Sequence, residues 1–194
     1  MNLIQVGLCI LSGLPLVATL LLGYQLMRNG QGALGKPTIN PFFFYLAKLS
    51  VVVLFGTLLI ASFKADAFLN FPWLILKDIP EVQKLLGLVF LLGGNLLLIP
   101  GYINLGIFTR VGLPKGKHAL ETDGVYRISR NPMYTSFLFF SVSCFLLVPS
   151  LLIAAIILFN TVTHHFIIMN EERFLASVFN NEYLDYKNRT ARYL

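Results

Sequence analysis

The sequence predicts an all-α integral membrane protein with about five transmembrane helices, the last two forming a helical hairpin. Three observations carry this prediction. Only 12% of the 194 residues are charged, about half of the roughly 25% typical of soluble domains. Apolar residues make up 56%, and the mean hydropathy is +0.73. The charges are clustered, which leaves several uncharged stretches of membrane-crossing length. This composition excludes a disordered chain, a disulfide scaffold and an ordinary cytosolic enzyme. The net charge of +6 is no nucleic-acid signature, because the 17 Phe lie in apolar runs rather than among basic residues.

Residues 3–27 carry no charge and span a roughly 30 Å hydrocarbon core at 1.5 Å per residue. No Lys or Arg precedes this stretch and it is too long for a signal-peptide core, so it is read as a span, kinked at Pro15. Residues 40–63 form the second span, with one charge, Lys48, read as snorkelling to a membrane edge. Residues 68–76 are too short to cross, and Trp73 places them at the interface. Residues 85–109 form the third span. Gly87, Gly93, Gly94, Gly101 and Gly106 mark it as a central helix, because small residues let backbones approach in lipid. Residues 133–163 are uncharged but too long for one span. Pro149 and Ser150 divide them into two helices, the second continuing through His164 and His165 to about Phe179. Both histidines are read as structural, and Cys9 and Cys144, inside apolar runs, as small hydrophobes. No repeat or low-complexity tract interrupts the chain, which is read as one polytopic domain over residues 1–194.

Basic residues set the orientation. With the N-terminus outside, one face receives Arg28 and Lys36, then Arg110, Lys115, Lys117, Arg127 and Arg130, then Arg173, Lys187, Arg189 and Arg192. The other receives Lys64, Lys77 and Lys84. The richer face, with the C-terminus, is expected to be cytoplasmic.

The polar residues gather on that face in two segments, 115–134 and 170–186. Asp123-Gly124 is a turn signal. Asn131 is placed to cap the fourth helix, with Pro132 at its first position and free N–H groups able to meet an anion. His118, Tyr126 and Tyr134 offer hydrogen bonds and aromatic faces suited to a sulfonium or ammonium. Glu171 and Glu172 follow an apolar helix directly, where a carboxylate can meet a ligand amine. Asn180 suits a helix C-cap with positive φ, after which Tyr183 and Tyr186 fold back on the helix pair. A plain reading competes throughout, since charged loops and Glu-Glu pairs at helix ends are commonly solvated surface.

Read together, His118, Leu120, Gly124, Tyr126, Arg130, Asn131, Pro132 and Tyr134, then Glu171, Glu172, Phe179, Asn180, Tyr183 and Tyr186, resemble the isoprenylcysteine carboxyl methyltransferase family and its relatives, the phospholipid N-methyltransferases. The resemblance covers residues 85–194, so residues 1–84 are read as generic spans with an interfacial segment and 85–194 as the methyltransferase core. Asn131 replaces the family's usual His, and Asn180 its usual Gly. The resemblance implies a cytoplasmic site for S-adenosyl-L-methionine, bound without a Rossmann fold by His118, Ala119, Leu120, Tyr126, Asn131, Pro132, Met133, Tyr134 and Glu171. It implies no metal, a lipid bilayer as environment, and a lipophilic, prenylated acceptor entering between helices. Arg173 is the candidate to steer an acceptor carboxylate. A carboxylate needs no general base at neutral pH, whereas an amine must lose a proton, and the missing His at 131 favours the carboxylate. The alternatives are a phospholipid or amine N-methyltransferase and an NADPH-dependent sterol-type reductase. The reductases share a similar Arg-His-Pro-Asn-Tyr segment, but an acidic residue soon follows its Tyr, where this chain has Thr135, Ser136 and Phe137.

Overall fold

A computed structural model describes residues 2–30, 35–106 and 119–194. Six α-helices follow in order: α1 Leu3–Arg28, α2 Pro41–Phe63, α3 Glu81–Leu105, α4 Pro132–Leu147, α5 Leu151–Phe179 and α6 Asn181–Arg189. Among the described residues there is no β-strand, only two isolated bridges. By length and composition α1, α2, α3 and α5 can cross a membrane, and α4 is a shorter apolar helix. The predicted class and the division of the fourth apolar stretch into a hairpin hold.

Local chemistry sets the helix ends. Asn2 Oδ1 accepts from Gln5 N at 2.9 Å, and Asn40 Oδ1 from Phe42 N at 3.0 Å, with Pro41 following. Ser150 Oγ accepts from Leu152 N at 3.2 Å and starts α5. The α1 helix runs on through Pro15.

The segment around Trp73 clasps the α4–α5 turn, which refines its reading as an interfacial stretch. Ile75 N donates to Pro149 O at 2.7 Å, Leu151 N to Trp73 O at 3.1 Å, and Ser150 Oγ to Pro72 O at 2.7 Å. Phe68, Phe71 and Leu74 pack inward there, and Trp73 stays exposed.

The α3 helix packs most extensively on α4 and also on α1. Its glycines explain the closeness: a Cβ at Gly94 would stand 2.4 Å from Phe140 Cε1. Without a hydrophobic drive between helices in lipid, such van der Waals contact is what holds spans together. Buried Asn95 adds polar glue, donating to Leu11 O at 2.9 Å across to α1. The core runs through Leu8, Leu54, Leu58, Leu91, Leu98, Phe140, Cys144 and Ile153. Both cysteines are free and buried.

Candidate active site

One end of the bundle gathers the C-terminal ends of α3 and α5, the start of α4, α6 and the C-terminal tail. Gly124 fixes the loop that enters α4. Its φ is +57°, which strains any residue with a side chain, and a Cβ there would meet Asn104 Nδ2 at 2.7 Å and force that side chain to move. One 3₁₀ turn, Gly124–Arg127, then drives Tyr126 inward against Tyr183 and Tyr186. Tyr186 donates from its hydroxyl to Tyr126 O at 2.7 Å. The two α6 tyrosines therefore fold back as expected.

The neighbours Glu171 and Glu172 do different work. Glu172 is 6% exposed. Arg130 Nη2 donates to its Oε1 at 3.1 Å, Arg192 Nη2 to its Oε2 at 2.9 Å, and Asn131 Nδ2 to its Oε1 at 3.2 Å. Arg130 Nη1 also holds Lys187 O at 3.1 Å and Thr190 O. This knot ties the start of α4, α5, α6 and the tail together. It also corrects the expected role of Asn131. The residue stands at the N-cap position, but its side chain makes no capping bond and instead holds Glu172 and Arg192 O. Among the described residues, no side chain caps the Met133 and Tyr134 N–H groups, the first that α4 carries after Pro132.

Glu171 faces the other way. Tyr134 donates from its hydroxyl to Glu171 Oε1 at 2.9 Å. The carboxylate acts electrostatically on the Tyr126 and Tyr134 phenols and on Lys48. Tyr126 is 6% exposed, and its hydroxyl has no hydrogen-bond partner among the described residues. Burial, reinforced by nearby phenols and carboxylates, holds this phenol well above the ordinary tyrosine range, so it stays a hydrogen-bond donor. A buried, unpartnered donor beside a carboxylate and an aromatic face suits a ligand carrying both an acceptor group and a cation. The residues present thus fit an amino-acid-bearing sulfonium.

Lys48 does not snorkel. It turns inward, with Nζ 3.3 Å from His164 Nε2, 4.9 Å from the Tyr134 ring centroid and 5.3 Å from that of Phe44. The two ring faces and an imidazole lone pair compensate the charge locally, which removes the drive to reach the membrane edge.

Beside this cluster lies a cavity of about 450 Å³ between α2, α4 and α5. Tyr134, Phe137, Ser141, Asn160, His164 and Tyr193 are among its walls. Leu138, Val162 and Phe166 also line it and are exposed on the outside of the bundle, so the cavity reaches the lateral, lipid-facing surface. At its edge Tyr193 and His165 Nδ1 share a hydrogen bond of 2.7 Å.

The structure brings Tyr126, Tyr134 and Glu171 together, with Pro132 buried behind them and Met133 packed toward Gly101. Leu120 packs on the tyrosine cluster, while Ala119 is exposed. His118 lies outside the described residues. Arg173 is exposed on α5, its Nη1 donating to Asn170 Oδ1 at 3.3 Å, and is not among the cavity walls. The residues missed from sequence are Lys48, His164, Arg192 and Tyr193. A lone charge inside a span was the available signal for Lys48. Among the described residues, no group of three or more His, Cys, Asp or Glu could hold a metal ion.

The family profile described as phospholipid methyltransferase covers residues 82–182, from the start of α3 into α6. No curated protein matches the sequence.

Proposed function

The chain belongs to the phospholipid methyltransferase family, and we propose that it uses S-adenosyl-L-methionine to methylate the carboxylate of a lipophilic acceptor such as a C-terminal isoprenylcysteine. The family makes it a membrane methyltransferase, of a kind that typically uses this cofactor. The observation that carries the finer reading is Tyr134, whose ring lines the lateral cavity while its hydroxyl holds Glu171. One side chain thus joins a polar corner to an apolar passage, as transfer from a water-borne donor to a lipid requires.

The cofactor, when bound, supplies a methyl group on a sulfonium. Glu171 would hold its ammonium, the Tyr126 hydroxyl would donate to its polar end, and the N–H groups of the first turn of α4 would receive its carboxylate. The Tyr134 ring would offer its face to the cation. The apolar cavity aligns the acceptor and keeps water from the reacting atoms. A carboxylate is ionised at neutral pH and asks for no proton transfer. Two observations favour it. Asn131 is committed to Glu172, and His164 Nε2 already faces Lys48 while Nδ1 meets Asn160 O at 2.9 Å. Methylation of a phospholipid amine is the second reading, favoured by the description of the family. Hydride transfer of the sterol-reductase type has no such support. The cofactor end and C-terminus face the cytoplasm in this reading, by the bias of basic residues.

The test supplies purified protein with methyl-labelled S-adenosyl-L-methionine and either N-acetyl-S-farnesylcysteine or phosphatidylethanolamine. Base-labile label on the cysteine lipid is expected. Base-stable label on the phospholipid would move the acceptor to the amine. No label on either, with S-adenosyl-homocysteine bound, would overturn both acceptor readings.

A further inference from the structure

We infer that Lys48 is the specificity-determining cation of the acceptor site: it binds the anionic group, carboxylate or phosphate, of the lipid that occupies the α2–α4–α5 cavity. This rests on the proposed reading that the acceptor enters by that cavity.

An ionisable side chain inside a span is costly and stays where it has work to do. Every contact of the Lys48 ammonium suits a cation. The Phe44 and Tyr134 rings present their faces to it. His164 Nδ1 lies 2.9 Å from Asn160 O. A carbonyl only accepts, so Nδ1 carries the proton and Nε2 turns a lone pair to Lys48. Yet none of the ion pairs among the described residues includes Lys48. Glu171, the carboxylate that acts on it electrostatically, is hydrogen-bonded to Tyr134 and faces the cofactor corner. A fixed cation outside every ion pair of the described residues therefore stands just behind the cavity wall, against the lining residues Tyr134 and His164 and one turn from the lining residue Val51.

The other polar group of the cavity sharpens the placement. Asn160 is 5% exposed and lies one turn deeper on α5 than His164. Its Nδ2 donates to Ser50 Oγ at 2.8 Å, and Ser50 spends its only proton on Ala47 O. Asn160 Oδ1 is left without a partner among the described residues. The partial negative charge of this oxygen, buried in the deeper wall of the cavity, disfavours an anion there and confines it to the Lys48 end, beside Tyr134. When the anion is the carboxylate being methylated, the neutral ester loses its hold on Lys48, which favours product release.

The test measures lipid binding to the full chain in detergent with S-adenosyl-homocysteine present. The probes are two pairs: N-acetyl-S-farnesylcysteine against its carboxamide, and dioleoyl phosphatidic acid against dioleoylglycerol. The wild type is expected to prefer the acid of one pair by roughly tenfold or more, the usual worth of a charge-assisted hydrogen bond, and the preferred pair identifies the anion. Lys48→Met is expected to erase that preference without changing affinity for the neutral partner, and Lys48→Arg to keep it. Lys48→Gln, closer in shape, serves if the Met variant does not fold, which its S-adenosyl-homocysteine affinity reports. A preference that survives loss of the charge overturns the inference while leaving the cavity reading intact. Wild-type protein that binds none of the four lipids overturns the cavity reading and the inference with it.

Discussion

The split between Glu171 and Glu172 gives the most exacting prediction. In Glu172→Gln the shape remains and the charge goes. The Arg130 and Glu172 side chains are each 7% exposed, so this is a buried pair. Removing one partner of such a pair costs about 3–5 kcal/mol, because the other charge is left uncompensated. Arg130 keeps Lys187 O and Thr190 O as acceptors, and Arg192, at 33% exposure, recovers water. Both push the cost to the lower end, about 3 kcal/mol. For a chain of this size that lowers the melting midpoint by roughly 6–12 °C. Glu171→Gln keeps an oxygen that can accept from the Tyr134 hydroxyl and breaks none of the ion pairs among the described residues, so its midpoint should move by less than half as much. The assay is thermal unfolding of both variants in one detergent, followed by circular dichroism. Equal midpoints, or a larger loss in Glu171→Gln, would refute the assignment of Glu172 to the structural knot.

Three further outcomes follow from the same geometry. Tyr126→Phe should leave the melting midpoint unchanged, since the hydroxyl has no partner among the described residues, and should weaken S-adenosyl-homocysteine binding about five- to tenfold; an unchanged affinity by calorimetry would take Tyr126 out of the site. Gly94→Ala should cost about 1–3 kcal/mol by overpacking against Phe140, read as a lower midpoint that Phe140→Leu partly restores. Asn180→Gly should stabilise by about 1 kcal/mol in the same melt, because a φ of +47° with ψ of −120° is open to glycine and strained for asparagine.

That last backbone conformation shows how the sequence was readable at one level and not at the next. Positive φ at Asn180 was predictable from its place after an apolar helix. The extended ψ was not, since it comes from the turn that swings α6 onto Tyr126. The hairpin was legible because residues 133–163 are too long an uncharged run for one span and Pro149 and Ser150 stand near its middle, and the central place of α3 because Gly87, Gly93, Gly94 and Gly101 let its backbone approach a neighbour. Side-chain directions were not. Successive residues on a helix point roughly 100° apart, so Glu171, Glu172 and Arg173 leave α5 toward Tyr134, toward Arg130 and Arg192, and toward the surface. Sequence places them together, and only the partners separate them. Arg192 was hidden for a related reason, since its contact with Glu172 depends on the tail doubling back beside Ser129. Lys48 was misjudged because snorkelling depends on depth, while its actual position depends on His164, Tyr134 and Phe44 arriving from three helices.

Calorimetric binding of S-adenosyl-homocysteine to the wild type and Glu171→Gln decides whether the Tyr134–Glu171 corner holds the cofactor. The wild type should bind and the variant should lose at least about tenfold in affinity, as removal of a charged hydrogen-bond partner implies, with the fold retained by circular dichroism. Equal affinities in the two proteins, or no binding by the folded wild type, would contradict that placement.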